Sequence, residues 1–216
     1  MKKKLKRLCL HVGLAFMSAT PSLTGQTLDF VRFQPENISN TQYDYINIDA
    51  MVFNTDTGVR VCIYNNTSPT APASATRPTV ASIYFDASSE FLSGSPTFNA
   101  GHSSSGVEFV FGGSPGDLPG GNEIGFTADS KFTATPPPPK DGLNPGEFAC
   151  FDFAGSDYNK VLSGLASGEV RIGVHVLQVG PRGEDSLSLV NKPIPEPSAA
   201  LLGAVGIIAL LRRRRR

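Results

Sequence analysis

Apolar side chains in this chain recur at every second residue, in short runs cut off by glycine, proline and asparagine. An alternation of period two puts successive residues on opposite faces of an extended strand, so each run has one face to bury. In residues 43–54 that face holds Ile46, Ile48, Ala50 and Val52. In residues 58–64 it holds Val59, Val61 and Ile63, with Arg60, Cys62 and Tyr64 on the other side. Asp56-Thr57-Gly58 lies between these two runs and predicts a hairpin. Residues 79–86 read as a further strand. In residues 106–111 Val107, Phe109 and Phe111 fall together, residues 123–131 hold a short strand, and residues 147–153 follow an Asn144-Pro145-Gly146 turn. The clearest strand is residues 169–179, with Ile172, Val174 and Val176 inward.

Helical spacing occurs once, at Tyr158, Val161, Leu162 and Leu165, with Ser156 as the expected cap and Gly168 as the stop. Residues 67–78 and 112–121 read as loops, and Pro136 to Pro139 as a stiff connector. The chain has 22 Gly, 17 Pro and no Trp, with 18% charged residues, which suits short strands joined by turns and not a helical enzyme. The expected fold is all-β: a single antiparallel β-sandwich, jelly-roll or immunoglobulin-like, with one short helix. An N-terminal signal helix and a C-terminal apolar helix flank it.

The two ends differ in kind from the body. Lys2, Lys3, Lys4, Lys6 and Arg7 precede a short apolar run from Leu8 to Ala19, and small residues follow. That order is the layout of a secretory signal peptide, assigned to residues 1–25; the apolar run is too short for an ordinary membrane span. Cys9 opens the apolar run, whereas a lipobox cysteine would close it. The sandwich body is assigned to residues 26–182 and a linker to residues 183–193. At the far end Pro195-Glu196-Pro197 precedes fourteen uncharged residues and then Arg212, Arg213, Arg214, Arg215 and Arg216. A helix of that length spans roughly 21 Å against a hydrocarbon core of about 30 Å. The arginines would stay cytoplasmic by the positive-inside rule.

Residues 194–216 resemble the PEP-CTERM sorting domain, on the triplet Pro195, Glu196, Pro197, the apolar run and the basic tail. The resemblance implies an exported bacterial protein processed by signal peptidase and by an exosortase. It also implies an inner-membrane-anchored precursor and delivery to the cell surface or extracellular matrix. The body is similar to a recurring PEP-CTERM body pattern at Leu118-Pro119-Gly120-Gly121-Asn122, at Gly142 to Glu147 and at Arg171 to Val176.

Charge is distributed to match. Of 19 Lys plus Arg, five lie in the first segment and five in the tail, while 18 of 19 Asp plus Glu lie in the body. The exported part therefore carries about nine net negative charges, which argues against nucleic acid as a partner and permits divalent cations.

The residues for catalysis are sparse. His102 precedes Ser103, Ser104 and Ser105 in a Gly/Ser loop, and adjacency alone does not supply a base held and oriented against a nucleophile. His175 falls opposite Ile172, Val174 and Val176 and reads as an outward or partly buried strand histidine. No EF-hand, phosphate-loop or Cys/His metal spacing occurs. Calcium held by backbone carbonyls and loop aspartates is the one cofactor this chemistry leaves room for, at no assigned position. The chain is therefore expected not to be an enzyme, and no metal or catalytic residue is assigned. Its expected role is structural or adhesive, in the envelope or exopolysaccharide matrix, with extracellular polysaccharide or surface proteins as partners; the alternative is a secreted carbohydrate-binding module.

Cys9 leaves with the signal peptide, so two cysteines remain. Cys62 and Cys150 both sit mid-strand in a chain bound for an oxidising compartment, which makes them the disulfide candidates. Closing so long a loop would contribute on the order of 4 kcal/mol in the chain-entropy model.

Overall fold

The computed structural model describes residues 26–34, 43–68, 77–112, 116–180 and 182–193. The signal segment, Pro195, Glu196, Pro197, the apolar run after them and Arg212 to Arg216 lie outside the described residues.

Among the described residues ten strands form two antiparallel sheets packed face to face: β1 (Gln26–Gln34), β2 (Ile48–Thr55), β3 (Gly58–Asn65), β4 (Thr79–Asp86), β5 (Thr97–Phe98), β6 (Phe109–Phe111), β7 (Ser130–Ala134), β8 (Phe148–Ala154), β9 (Arg171–Val179) and β10 (Asp185–Asn191). The spatial order is β5-β8-β3-β2-β1-β10-β9-β4-β7-β6. β1 belongs to both sheets. Its first half, Gln26 to Asp29, pairs with β2, and its second half, Phe30 to Gln34, pairs with β10. One side of the sandwich is thus closed by a single strand changing sheets. On the opposite side the rings of Phe98 in β5 and Phe109 in β6 come to 6.0 Å.

The alternation does what it should. Ile48, Ala50, Val52, Val59, Val61 and Ile63 from one sheet are buried against Ile83, Phe85, Ile172, Val174 and Val176 from the other. Toward β5 and β6 the core turns aromatic. Phe132 and Phe151 stand 4.5 Å apart between ring centres, and Phe85 and Phe153 4.8 Å apart with their rings steeply inclined. The hairpin between β2 and β3 turns at Asp56-Thr57, and Gly58 is obligatory there. Its φ is 155°, and a Cβ would stand 2.2 Å from the Phe153 carbonyl oxygen.

The outer face of the second sheet carries a smaller apolar cluster. The connection from β6 to β7 folds back over it, setting Leu118, Phe126 and Ala128 against Tyr84 and Val190. Gly173 in β9 makes room, since a Cβ there would lie 2.6 Å from Leu118 Cδ2. Arg171 holds the connection down by donating to Asp86 and to the carbonyls of Ile124 and Gly125.

The structure corrects several expectations. Residues 185–191 are no linker: β10 is an interior strand with Leu187, Leu189 and Val190 buried. The period-two pattern of Ser186-Leu187-Ser188-Leu189 needs a partner on each side, and β1 and β9 supply them. The body accordingly reaches beyond residue 182. The short strand expected at 123–131 is displaced; Gly121–Ile124 form a helical turn and the strand is Ser130–Ala134. The expected helix is present as α2 (Tyr158–Ser167), after a single helical turn α1 (Pro138–Asp141) that begins within the proline run and ends beyond it. Its cap is Asp157, which accepts from the Lys160 amide at 2.9 Å. Ser156 instead accepts the Ser93 amide and pins the crossing between β4 and β5. Phe111 departs from the buried set of Val107 and Phe109: it is 47% exposed.

Candidate functional site

Three cross-strand pairs on the outer face of β3 and β8 form a ladder. Register places Arg60 opposite Asp152, Cys62 opposite Cys150, and Tyr64 opposite Phe148. Each pair is chemically matched. Arg60 donates twice to Asp152, at 2.6 and 3.0 Å. Cys62 and Cys150 are joined by a disulfide, S–S 2.03 Å and Cα–Cα 4.0 Å. The Tyr64 and Phe148 rings stack at 5.3 Å. Burial alone would raise the Asp152 carboxyl. Hydrogen bonds from Arg60 and Asn99, joined by the positive charges of Arg60 and His102, outweigh it and hold the group below its ordinary value. The hydrogen bond from Arg60 to Asp152 raises the Arg60 pKa, partly opposed by burial. Burial raises the Tyr64 hydroxyl.

The Gly/Ser loop that contains His102 lies along the β8 edge. Asn99 Nδ2 donates to Asp152 at 2.6 Å and Asn99 Oδ1 caps the turn at His102. His102 Nδ1 lies 3.3 Å from that same Oδ1. Ser103 Oγ donates to the Asn99 carbonyl and accepts the Cys150 amide at 3.0 Å, while Ser104 Oγ accepts the Phe148 amide at 3.0 Å. These serines serve the backbone of β8; no base is aimed at either hydroxyl among the described residues.

His175 lies on the outer side of β9, between Ser82 of β4 and Ser188 of β10. Burial lowers its pKa, with Lys131 adding a smaller effect in the same direction, and its Nε2 is buried with no hydrogen-bond partner. Asp56 and Asp157 share a polar notch between the β2–β3 turn and the start of α2. Among the described residues no group of three or more His, Cys, Asp or Glu is arranged to hold a metal ion.

The concavity that suits a ligand is a cleft of about 500 Å³ at one mouth of the sandwich, within the range of small-molecule sites. Phe85 of one sheet and Phe153 of the other form part of its lining, Leu92 and Pro96 come from the crossing between β4 and β5, and Phe111 comes from β6. Polar groups from Ser88, Ser89, Ser95 and Asp129 join them. Asp129 accepts the Ala87 amide at 2.9 Å through Oδ2. None of these positions stood out in the sequence as part of a site; the alternation groups Phe111 with Val107 and Phe109 on one buried strand face. The one available signal was that the alternation ending at Phe111 runs straight into Gly112, at the end of a three-residue strand where the core itself is ending.

The tail motif and arginines cannot be placed against this geometry because they lie outside the described residues. No family model, curated protein or solved structure matches the chain.

Proposed function

We propose that the protein is exported to the bacterial surface and serves there, or in the exopolysaccharide matrix, as a structural or adhesive sandwich sorted by its C-terminal segment. The observation that carries the reading is the Cys62–Cys150 disulfide bridging neighbouring strands. Such bonds form and persist outside the reducing cytosol. The signal layout of residues 1–25 and the charge asymmetry between the ends and the body agree with it.

In this reading signal peptidase removes the first segment. An exosortase then acts near Pro195-Glu196-Pro197 on an inner-membrane-anchored precursor whose arginine tail stays cytoplasmic. Among the described residues no helix is long and apolar enough to cross a membrane. The acidic body keeps clear of anionic lipid and nucleic acid.

The reading is tested by replacing Pro195, Glu196 and Pro197 with alanine and following the chain by mass spectrometry of cell fractions. The expected result is a membrane-retained precursor that still carries Arg212 to Arg216, beside a wild-type surface form that has lost them. An intact tail on the wild-type surface form would contradict processing.

A further inference from the structure

We propose that the mouth cleft is a saccharide-binding site, with Phe111 as the stacking platform and Asp129 with the neighbouring serines as hydrogen-bonding partners for sugar hydroxyls. Phe111 lies on the same strand face as buried Phe109 and meets Phe132 edge-on at 5.4 Å, yet remains 47% exposed. Its neighbour in β6, Val110, is 49% exposed; these two are the large apolar residues left open among the described residues. An aromatic side chain at the rim of a cleft has apolar surface to gain by covering.

The rest of the lining says what would cover it. A purely apolar ligand would meet Ser88, Ser89, Ser95 and Asp129 and leave them desolvated, which costs free energy for every polar group left unpaired. A polyanion would meet Asp129 with no Lys or Arg among the described lining residues, on a body carrying about nine negative charges. A neutral pyranose avoids both penalties. Its C–H face is apolar and matches a ring, and its edge is a row of hydroxyls that can donate to a carboxylate and exchange hydrogen bonds with serines. Asp129 keeps acceptor capacity beyond the Ala87 amide, since a carboxylate has about four lone-pair positions. The cleft holds about 500 Å³, and it lies between sheets fixed by the core beneath it. The inference rests on the surface-and-matrix reading for the source of its ligand, and on the cleft alone for its chemistry.

The test is titration calorimetry of the exported protein against neutral cello-, malto- and manno-oligosaccharides, with alginate as the anionic comparison. At least one neutral series should bind and alginate should not. Phe111→Ala should weaken that binding by roughly tenfold and Phe111→Tyr should retain it, because the ring is kept. Asp129→Asn, which keeps an oxygen for the Ala87 amide, should weaken it by about threefold. Glu90→Gln, outside the lining, should change nothing. Unfolding midpoints of all variants, measured alongside, separate lost binding from lost fold. Failure of every neutral series, binding of alginate alone, or binding that survives Phe111→Ala would overturn the site. So would a shift from dimer to monomer in Phe111→Ala, since the patch would then be a contact between copies. Fractionation of the same cultures keeps the two claims apart. Surface protein that binds no glycan defeats the cleft and spares the surface reading, whereas protein retained in the cytoplasm defeats the surface reading.

Discussion

Arg60, Cys62 and Tyr64 alternate along one strand, and Phe148, Cys150 and Asp152 along another; register alone turns six side chains into an ion pair, a disulfide and an aromatic stack. The faces were legible in the two-residue period. The adjacency of β3 and β8 was signalled only by Cys62 and Cys150 as the disulfide candidates; that Arg60 meets Asp152 and Tyr64 meets Phe148 needed the register between strands some ninety residues apart. Asp152 has a pKa held below that of an ordinary carboxyl, so the stability it contributes is present above the unfolded value, near 3.8, and is lost as pH falls through the folded one. Asp152→Ala should cost about 1–2 kcal/mol in urea denaturation at neutral pH, after allowance for partial exposure, with the difference from wild type shrinking in acid. His175 works in a higher window. Its folded pKa is also lowered, so below about 6.5 the unfolded chain takes up the proton first and stability falls with pH. His175→Gln should flatten the stability profile between roughly pH 6.5 and 5 relative to wild type. An unchanged slope would mean the ring is free to protonate in the fold.

Elements with a clear apolar pattern or a strong local turn were readable from the sequence: the β2–β3 hairpin, β4, which is buried on both faces, β8, β9 and α2. Those that depend on distant partners were not. β10 has seven residues with two serines on the alternate positions and begins two residues after Gly183, and such a stretch reads as a tether until β1 and β9 are seen to flank it. β1 gave no sign of serving two sheets. β5 has only two residues, below any periodicity. The difference between tether and strand is measurable. Leu189→Ala should cost about 2–4 kcal/mol as a buried leucine, against less than about 0.5 kcal/mol for a residue on a linker. Gly173→Ala probes the layer above β9, where a Cβ would lie 2.6 Å from Leu118 Cδ2. Its expected cost is about 1–3 kcal/mol by overpacking; Leu118→Ala has a cavity cost of its own, so if that contact is the cause the double variant Gly173→Ala/Leu118→Ala should cost less than the sum of the two single variants.

For the whole molecule, a β-sandwich followed from short alternating runs separated by turns, and the structure has that architecture. The cleft was not readable, because it exists only where the mouth of two sheets, a crossing loop and the end of β6 converge from distant parts of the chain. The disulfide ties β3 to β8 across 88 residues and should contribute roughly 4–5 kcal/mol in the chain-entropy model. Export, oxidation and tail processing form one account, and the intact mass of unreduced protein recovered from outside the cell tests all three at once. The account predicts a chain lacking the N-terminal signal and the Arg212 to Arg216 tail, lighter than its reduced form by two hydrogens. A chain that keeps its arginine tail, or one whose mass does not change on reduction, would contradict it.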